Sequence, residues 1–417
     1  MKNKRTKTPW QKVRHVFNEV HLWLGLISGL VLVVVCFTGT VYVYSTEIKE
    51  WAAPDLHYVQ PIGNSKQLGA NQILETVKSK VEGNVNSLSV FAAADRSYQI
   101  SMKKEGDQSR FGTTYYVNPY TAEILGSSLE ETWADKLMKD MFSLHRWLLL
   151  DKIEQPIIEE LPNRTLGSYI TGTATILFTL GLLTGIVIWI PQKIKNWRQG
   201  LKVKFNSNWK RLNHDLHNTL AFYSFIFLLL MGLTGPFWSF PWYRDGLQKT
   251  LGTYQEKPET PKGGSRGNGG SGKFSLSEAE NNADGQPTFI DVDLVLQLAD
   301  FQLPYEGNYR ISFPQKIGDP ISLSKNRTGF FAPAAGDRLV FDSEMNLSEI
   351  QIFRDKPINE RIASSIKSLH IGDVYGKFSK LLYFLACLIA TTLPITGTLI
   401  WINKLKKKKR KKRTASV

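Results

Sequence analysis

Charged residues are missing altogether from four long stretches of this 417-residue chain: Leu22–Tyr44, Tyr169–Ile190, Leu220–Tyr243 and Leu381–Ile402 contain no Asp, Glu, Lys or Arg. Each is about 20 apolar residues or more, the length that crosses a hydrocarbon layer about 30 Å thick as a helix. A soluble protein is thereby excluded. Cysteine is scarce as well, and both copies, Cys36 and Cys387, fall inside apolar stretches, where a thiol behaves as a small apolar residue. They could join as a disulfide only if the first and fourth stretches met at equal depth. No C-x-x-C or H-x-x-x-H spacing offers a tight zinc cage, and no G-x-G-x-x-G stands between a strand and a helix as a dinucleotide site requires.

Positive charge is in excess, with 52 Lys and Arg against 37 Asp and Glu. Its placement decides its meaning: residues 1–21, 191–216 and 403–417 hold 22 of those 52 cations and only two acids, Glu19 and Asp215. The run Lys406–Arg413 starts four residues after an apolar stretch, which fits an anchor against anionic lipid head groups rather than a nucleic-acid patch. Four spans put both termini on one side, and the positive-inside rule makes that side the cytoplasm. The expected organisation is a cytoplasmic N-terminus (1–21), a span (22–44), an external segment (45–168), a span (169–190) and a basic cytoplasmic loop (191–219). A third span (220–243), a second external segment (244–380), a last span (381–402) and a cytoplasmic tail (403–417) follow. The first apolar run exceeds a signal-peptide core and no small-x-small site follows it, so an uncleaved anchor is expected.

The chain repeats itself. Thr38-Gly39 lies 17 and 18 residues after His21, and Thr234-Gly235 stands at the same offsets from His217. The even spans match each other too, with Thr184-Gly185 four residues before Trp189 and Thr396-Gly397 four residues before Trp401. Two tandem units oriented alike are expected to form a bundle of four helices from parallel repeats. The external segments carry a small α+β pattern each. In the first, Ala70–Val81 has helical apolar spacing and is followed by strand-like runs at Val85–Ala92, Ser97–Met102 and Thr113–Val117, then a turn at Asn118–Thr121 leading to Glu123–Leu125. In the second, Val292–Ala299 reads as a helix and Asn308–Phe313, Pro320–Leu323, Gly329–Phe331 and Arg338–Phe341 as strands. Residues 258–273 are Gly-rich and unpatterned, and a flexible insertion is expected there.

Ionisable groups at membrane depth are costly and usually functional, so the seven histidines carry information. His21, His214 and His217 stand at cytoplasmic span mouths, and His145 and His370 precede spans two and four on the outside. A neutral imidazole is a good axial ligand for haem iron, and a helical bundle can offer two from facing helices. The repeat pairs His21 with His217 on the cytoplasmic side and His145 with His370 outside; His214 is the alternative ligand on span three. Two haems so held would form a wire for single electrons. His15 lies about 240° round the helix from His21 and reads as solvated, and His57 carries no assigned role.

The stretches Val20–Leu26 (VHLWLGL), Asp215–Leu220 (DLHNTL), Ser143–Trp147 (SLHRW) and Leu369–Gly372 (LHIG), with the recurring Thr-Gly, resemble the PepSY-associated transmembrane family of iron-regulated membrane proteins, which includes bacterial ferric-siderophore reductases. The segment Tyr116–Leu125 resembles the closing strand-turn of a PepSY domain, where Asp-Pro-x-Thr-Gly is common; Asn118 and Ala122 depart from that pattern. The resemblance implies a multi-pass protein of the bacterial inner membrane with two periplasmic PepSY-like domains and haem ligands at His21, His145, His217 and His370. It implies reduction of Fe(III) in a siderophore, so that Fe(II) is released in iron acquisition, an oxidoreductase activity. Arg146 is a candidate contact for a haem propionate or an anionic siderophore. The cytoplasmic loop is too short to fold a flavin or nicotinamide domain, so the electron donor is expected to be membrane quinol or a separate cytoplasmic reductase. Two other readings stand beside this one: a membrane-anchored PepSY regulatory or peptide-binding protein without haem, and a transporter with Pro236 and Pro394 as helix-breaking points, against which the parallel repeats and charge-free spans argue.

Overall fold

The computed structural model describes residues 8–61, 66–107, 109, 112–191, 194–256, 290–314 and 319–413, so the Gly-rich stretch 258–273 lies outside the described residues. In chain order the helices are α1 (Pro9–Tyr42), α2 (Ser45–Ala52), α3 (Pro54–His57), α4 (Ala70–Lys80), α5 (Trp133–Trp147) and α6 (Asn163–Trp189). They continue with α7 (Trp209–Thr234), α8 (Pro241–Thr250), α9 (Val292–Gln302), α10 (Ile358–Ser364), α11 (Ile366–Ile371) and α12 (Gly376–Arg413). The strands are β1 (Asn84–Val90), β2 (Tyr98–Lys103), β3 (Thr113–Val117), β4 (Ile124–Ser127), β5 (Gly307–Ser312), β6 (Ile321–Arg327), β7 (Asp337–Phe341) and β8 (Leu347–Gln351). The chain divides into a helical unit, built from residues 1–46, 135–250 and 365–417, and a sheet unit from 47–134 and 251–364.

In the helical unit, α1, α6, α7 (extended by a 3₁₀ turn to Trp238) and α12 are long and apolar enough to cross a membrane. The helices outrun the apolar stretches that define them. α1 starts at Pro9 because Thr8 and Gln11 form a capping box, each side chain accepting from the other residue's backbone N–H. α1 packs against α6 and α12, and α7 packs against the same two helices, which closes a four-helix ring. The contacting faces are made of small and hydroxyl residues, such as Ser28, Gly29, Thr38 and Thr40 on α1 and Thr171, Gly172, Ala174 and Gly181 on α6. Lipid tails are as apolar as leucine, so span association depends on close backbone approach and small residues rather than on the hydrophobic effect. A β-carbon on Gly232 would lie 2.4 Å from the Thr179 hydroxyl oxygen, which shows how tightly α6 and α7 meet. Large apolar side chains face outward instead: Leu30 is 82% exposed, a surface fit for lipid and not for water. Cys36 and Cys387 do meet, the Cys387 thiol donating to the Cys36 carbonyl at 3.2 Å, and both are free thiols.

The sheet unit holds one antiparallel sheet of order β4-β3-β2-β1-β5-β6-β7-β8. Where the sequence reads two small domains, the structure joins their strands through pairing of β1 with β5, from Ser87 opposite Ser312 to Val90 opposite Tyr309. Each half alone would leave its first strand as an unpaired edge, and pairing the two edges removes that liability. The core is continuous across the seam, with Ile73, Val77, Leu88 and Ile100 from one half and Val295, Ile311, Leu323 and Phe341 from the other. The helices above it cap each other: Asp293 accepts from the N–H groups of Ala70 and Asn71, and the Asn71 side chain accepts from the Val292 N–H.

Two strand expectations need correction. Gly329–Phe331 is a loop and not a strand, entered through Gly329 at φ +132°, and β8, a polar strand, closes the second half in a place the apolar pattern did not mark. β6 also runs past Leu323 to Arg327, because Lys325 takes the next inward position. That lysine is 1% exposed, donates to Asp300 and to the Leu303 carbonyl at 2.8 Å each, and lies over the rings of Tyr305 and Tyr309. Burial alone would raise the Asp300 carboxyl, but the hydrogen bonds from Lys325 and Tyr309 outweigh it and hold the pKa below the usual value.

The turn Asn118–Ala122 holds its last residue in a backbone conformation that favours glycine. Asn118 accepts from the Tyr120 N–H, and Ala122 is buried with φ +55°, in the left-handed region that costs an L-residue about 1–2 kcal/mol. Ala122→Gly is therefore expected to stabilise the protein by about 0.5–1 kcal/mol after glycine's greater unfolded-state entropy is counted. A urea midpoint that does not rise in this variant would contradict the strained turn.

Candidate functional site

Four imidazoles enter the helical unit, and the same local geometry receives each of them. Nδ1 of His21, on α1, lies 2.9 Å from the Gly181 carbonyl and 3.2 Å from the Thr184 hydroxyl on α6. Nδ1 of His145, in the last turn of α5, lies 2.9 Å from the Val35 carbonyl and 3.3 Å from the Thr38 hydroxyl on α1. For His217, on α7, the partners are the Thr396 hydroxyl at 2.9 Å and the Leu393 carbonyl, both on α12. For His370, on α11, they are the Thr234 hydroxyl at 3.0 Å and the Met231 carbonyl on α7. In all four cases the carbonyl is three residues before the threonine, and the glycine after that threonine faces the ring. In the sequence the Thr-Gly pairs read only as marks of the repeat; the offset of 17 residues from His21 to Thr38 and from His217 to Thr234 was the signal that each is one end of such a contact.

Each contact closes within one repeat, and the histidines then meet across repeats. The rings of His21 and His217 have centroids 6.4 Å apart, and those of His145 and His370 have centroids 6.2 Å apart, both edge-on. His21 and Thr38 are separated by 17 residues of one helix, so the two pairs stand about 25 Å apart along the bundle. His214 is half-exposed and turned to Asp215 at 3.7 Å, on a groove of about 240 Å³ that Arg14, Trp189 and Arg211 also line, so it does not take the place of His217 opposite His21. His15 is exposed beside Glu19, and His57 belongs to the sheet unit, edge-on to Tyr116.

Backbone turns hold the two histidines that lie outside the long helices. His145 is carried at the end of α5, where Leu148 and Leu149 turn the chain with φ +55° and +62°. α6 approaches so closely that a β-carbon on Gly167 would lie 2.3 Å from the Trp147 carbonyl oxygen. His370 precedes Gly372, whose φ of +86° ends α11 and whose missing β-carbon leaves room for Tyr383. Burial disfavours the charged ring at both sites, lowering the pKa of His145 to about 4 and that of His370 to about 3, so both imidazoles are neutral at physiological pH. Arg146 lies next to this pair. It donates to the Trp238 carbonyl at 3.4 Å, its Nε is buried with no hydrogen-bond partner, and burial followed by repulsion from Arg164 lowers its pKa to about 10. A partly buried cation with an unused, buried Nε–H donor is suited to an anionic group.

Two imidazoles facing each other can grip one metal centre from opposite sides. At a metal–nitrogen distance of about 2 Å the ring centroids would stand about 6 Å apart, which both pairs match. Among the described residues no three His, Cys, Asp or Glu side chains converge as a cage for a bare metal ion.

A bundle of four helices long and apolar enough to cross a membrane, with an imidazole pair toward each end and joined in the chain to an antiparallel sheet unit, defines a multi-pass membrane protein. The chain belongs to the family of PepSY-associated TM regions, whose model matches residues 19–404. No curated protein matches it significantly.

The close approaches that carry His145 and His370 are open to test. Gly167→Ala and Gly372→Ala should each lower stability by about 2 kcal/mol or more, since the new methyl meets backbone in one case and the Tyr383 ring root in the other. Tryptophan fluorescence melts in detergent would show this as an earlier midpoint, and unchanged melting would mean that the helices do not approach as described.

Proposed function

We propose that the protein is a di-haem electron-transfer protein of the bacterial inner membrane that passes electrons from the cytoplasmic side to a periplasmic ferric acceptor. The observation that carries this reading is the pair of facing imidazole couples, His21 with His217 and His145 with His370, with centroids 6.4 and 6.2 Å apart. That separation fits two imidazoles that would hold one haem between them. A haem b in each couple would supply reversible one-electron chemistry within a layer that otherwise blocks charge.

This chain's residues then have distinct tasks. His21 and His217 would hold the cytoplasmic-side group, and His145 and His370 would hold the outer one. The threonine and carbonyl partners orient the rings, and the close-packed small residues exclude water from the bundle. Arg146, with its unused buried Nε–H, is the residue to meet a haem propionate or an anionic substrate at the outer side. The basic clusters at 1–21, 191–216 and 403–417 set the orientation, with both termini cytoplasmic. Electrons are supplied by membrane quinol or a cytoplasmic reductase. The acceptor class is ferric siderophore: one electron converts Fe(III) to Fe(II), which hard oxygen ligands hold less tightly, and the iron is released for uptake.

The purified protein in detergent, reduced with dithionite and assayed as its pyridine haemochrome, should show about two b-type haems per chain. His21→Ala or His217→Ala should remove one haem and the double variant no more than that one; His145→Ala or His370→Ala should remove the other, and His214→Ala neither. A chain that stays colourless when expressed with abundant haem would overturn this reading in favour of a membrane-anchored PepSY regulatory protein.

A further inference from the structure

The four Thr-Gly pairs present a puzzle of local chemistry. Neither residue favours a helix interior, yet the pair recurs wherever a helix receives an imidazole. The hydroxyl protons explain the threonines. Thr38 donates to the carbonyls of Val34 and Val35 at 2.8 and 3.0 Å, and Thr184 to those of Leu180 and Gly181 at 3.0 and 2.9 Å. Thr234 donates to Leu230 and Met231 at 2.7 and 3.2 Å, and Thr396 to Thr392 and Leu393 at 2.9 and 3.1 Å. A hydroxyl has one proton to give. Spent on its own helix, it leaves only lone pairs for the imidazole, and the neighbouring carbonyl has nothing but lone pairs. Every group facing Nδ1 is therefore an acceptor, and the imidazole must carry its proton there.

We infer that the four Thr-Gly pairs are tautomer locks: Thr38, Thr184, Thr234 and Thr396 are positioning residues that hold His145, His21, His370 and His217 with the proton on Nδ1, so that Nε2 is the unprotonated nitrogen on every ring. The glycines set the ring depth. A β-carbon at Gly39, Gly185 or Gly397 would lie 3.1, 3.1 or 3.3 Å from the Cε1 of the same imidazole, so alanine would press on the ring edge at three corners, while at Gly235 it would just touch the His370 ring at 3.4 Å. The consequence for ligation rests on the haem reading above. A ligand histidine whose other N–H is held by oxygen acceptors is fixed in orientation and is the more basic donor. One repeated helix motif thus prepares all four ligands, and does so in the chain itself before any metal arrives.

The test reads the tautomer and the ligation separately. The full chain, labelled with ¹⁵N-histidine, purified in detergent and dithionite-reduced so that any six-coordinate ferrous haem is diamagnetic, should show four rings protonated on Nδ1 and unprotonated on Nε2. An Nε2–H signal from any of the four would overturn the lock whether or not haem is bound. Thr184→Val should raise the haem dissociation constant of the His21–His217 couple about tenfold, the lower end of such effects because the Gly181 carbonyl remains, and raise that couple's midpoint potential as its ligand becomes less basic. Thr184→Ser, which keeps the hydroxyl, should restore both. Valine and serine variants equal to wild type in affinity and midpoint would overturn the positioning role. A wild-type chain without haem that still shows four Nδ1–H rings would defeat the electron-transfer reading and leave the lock standing.

Discussion

An imidazole packed among membrane helices needs partners for its ring nitrogen, and much of the packing of the helical unit follows from that constraint. Satisfying Nδ1 takes a carbonyl and a hydroxyl on a neighbouring helix, which requires the backbone of that helix to come close. Close approach in turn requires small residues along the contact, and the buried faces of α1 and α6 carry them. The threonines serve both demands: their hydroxyls are satisfied locally and present lone pairs outward, so polar groups are buried without adding an unmet donor. Large apolar side chains are displaced to the outside, where lipid is an adequate solvent.

The internal repeat multiplies this arrangement with little new sequence. Each repeat supplies one histidine near each end of its helices and one Thr-Gly pair to receive it, and only pairing of the two repeats brings imidazole to imidazole. The sheet unit follows the same logic by other means. Each half has a helix over four strands, and neither half covers its own first strand, so β1 and β5 pair and a shared core forms beneath both helices. In both units the repeat is incomplete alone and the second copy supplies what is missing.

Much of this was legible in one dimension because hydropathy acts over long windows. The four spans, the helices over residues 70–81 and 292–299 and most strands rest on periodicity that many residues express together. The failures fall where a single residue acts against the pattern. Lys325 sits at an inward strand position with its charge compensated by Asp300 and two aromatic rings, which no apolar count anticipates. Gly329–Phe331 is apolar enough for a strand but begins with a glycine in a conformation that leaves the strand. β8 is polar because its burial is slight. The choice between His214 and His217, three residues apart on one helix, needed the positions of neighbouring helices, and Asp215 with its arginine draws His214 away.

By itself the sequence determined that the chain spans a membrane four times, that it is a tandem repeat, and which histidines stand at corresponding places in the two copies. Those properties depend on composition and spacing along the chain, where transfer free energies and helical periodicity operate locally. Only the tertiary structure decided how closely the rings that the repeat pairs come together, that a threonine and a carbonyl receive each ring, and that the two segments between spans share one sheet. These are contacts between residues as far as 225 positions apart, the separation of His145 from His370. They depend on how closely helices pack and which strand edges pair, and no local property of the chain specifies either.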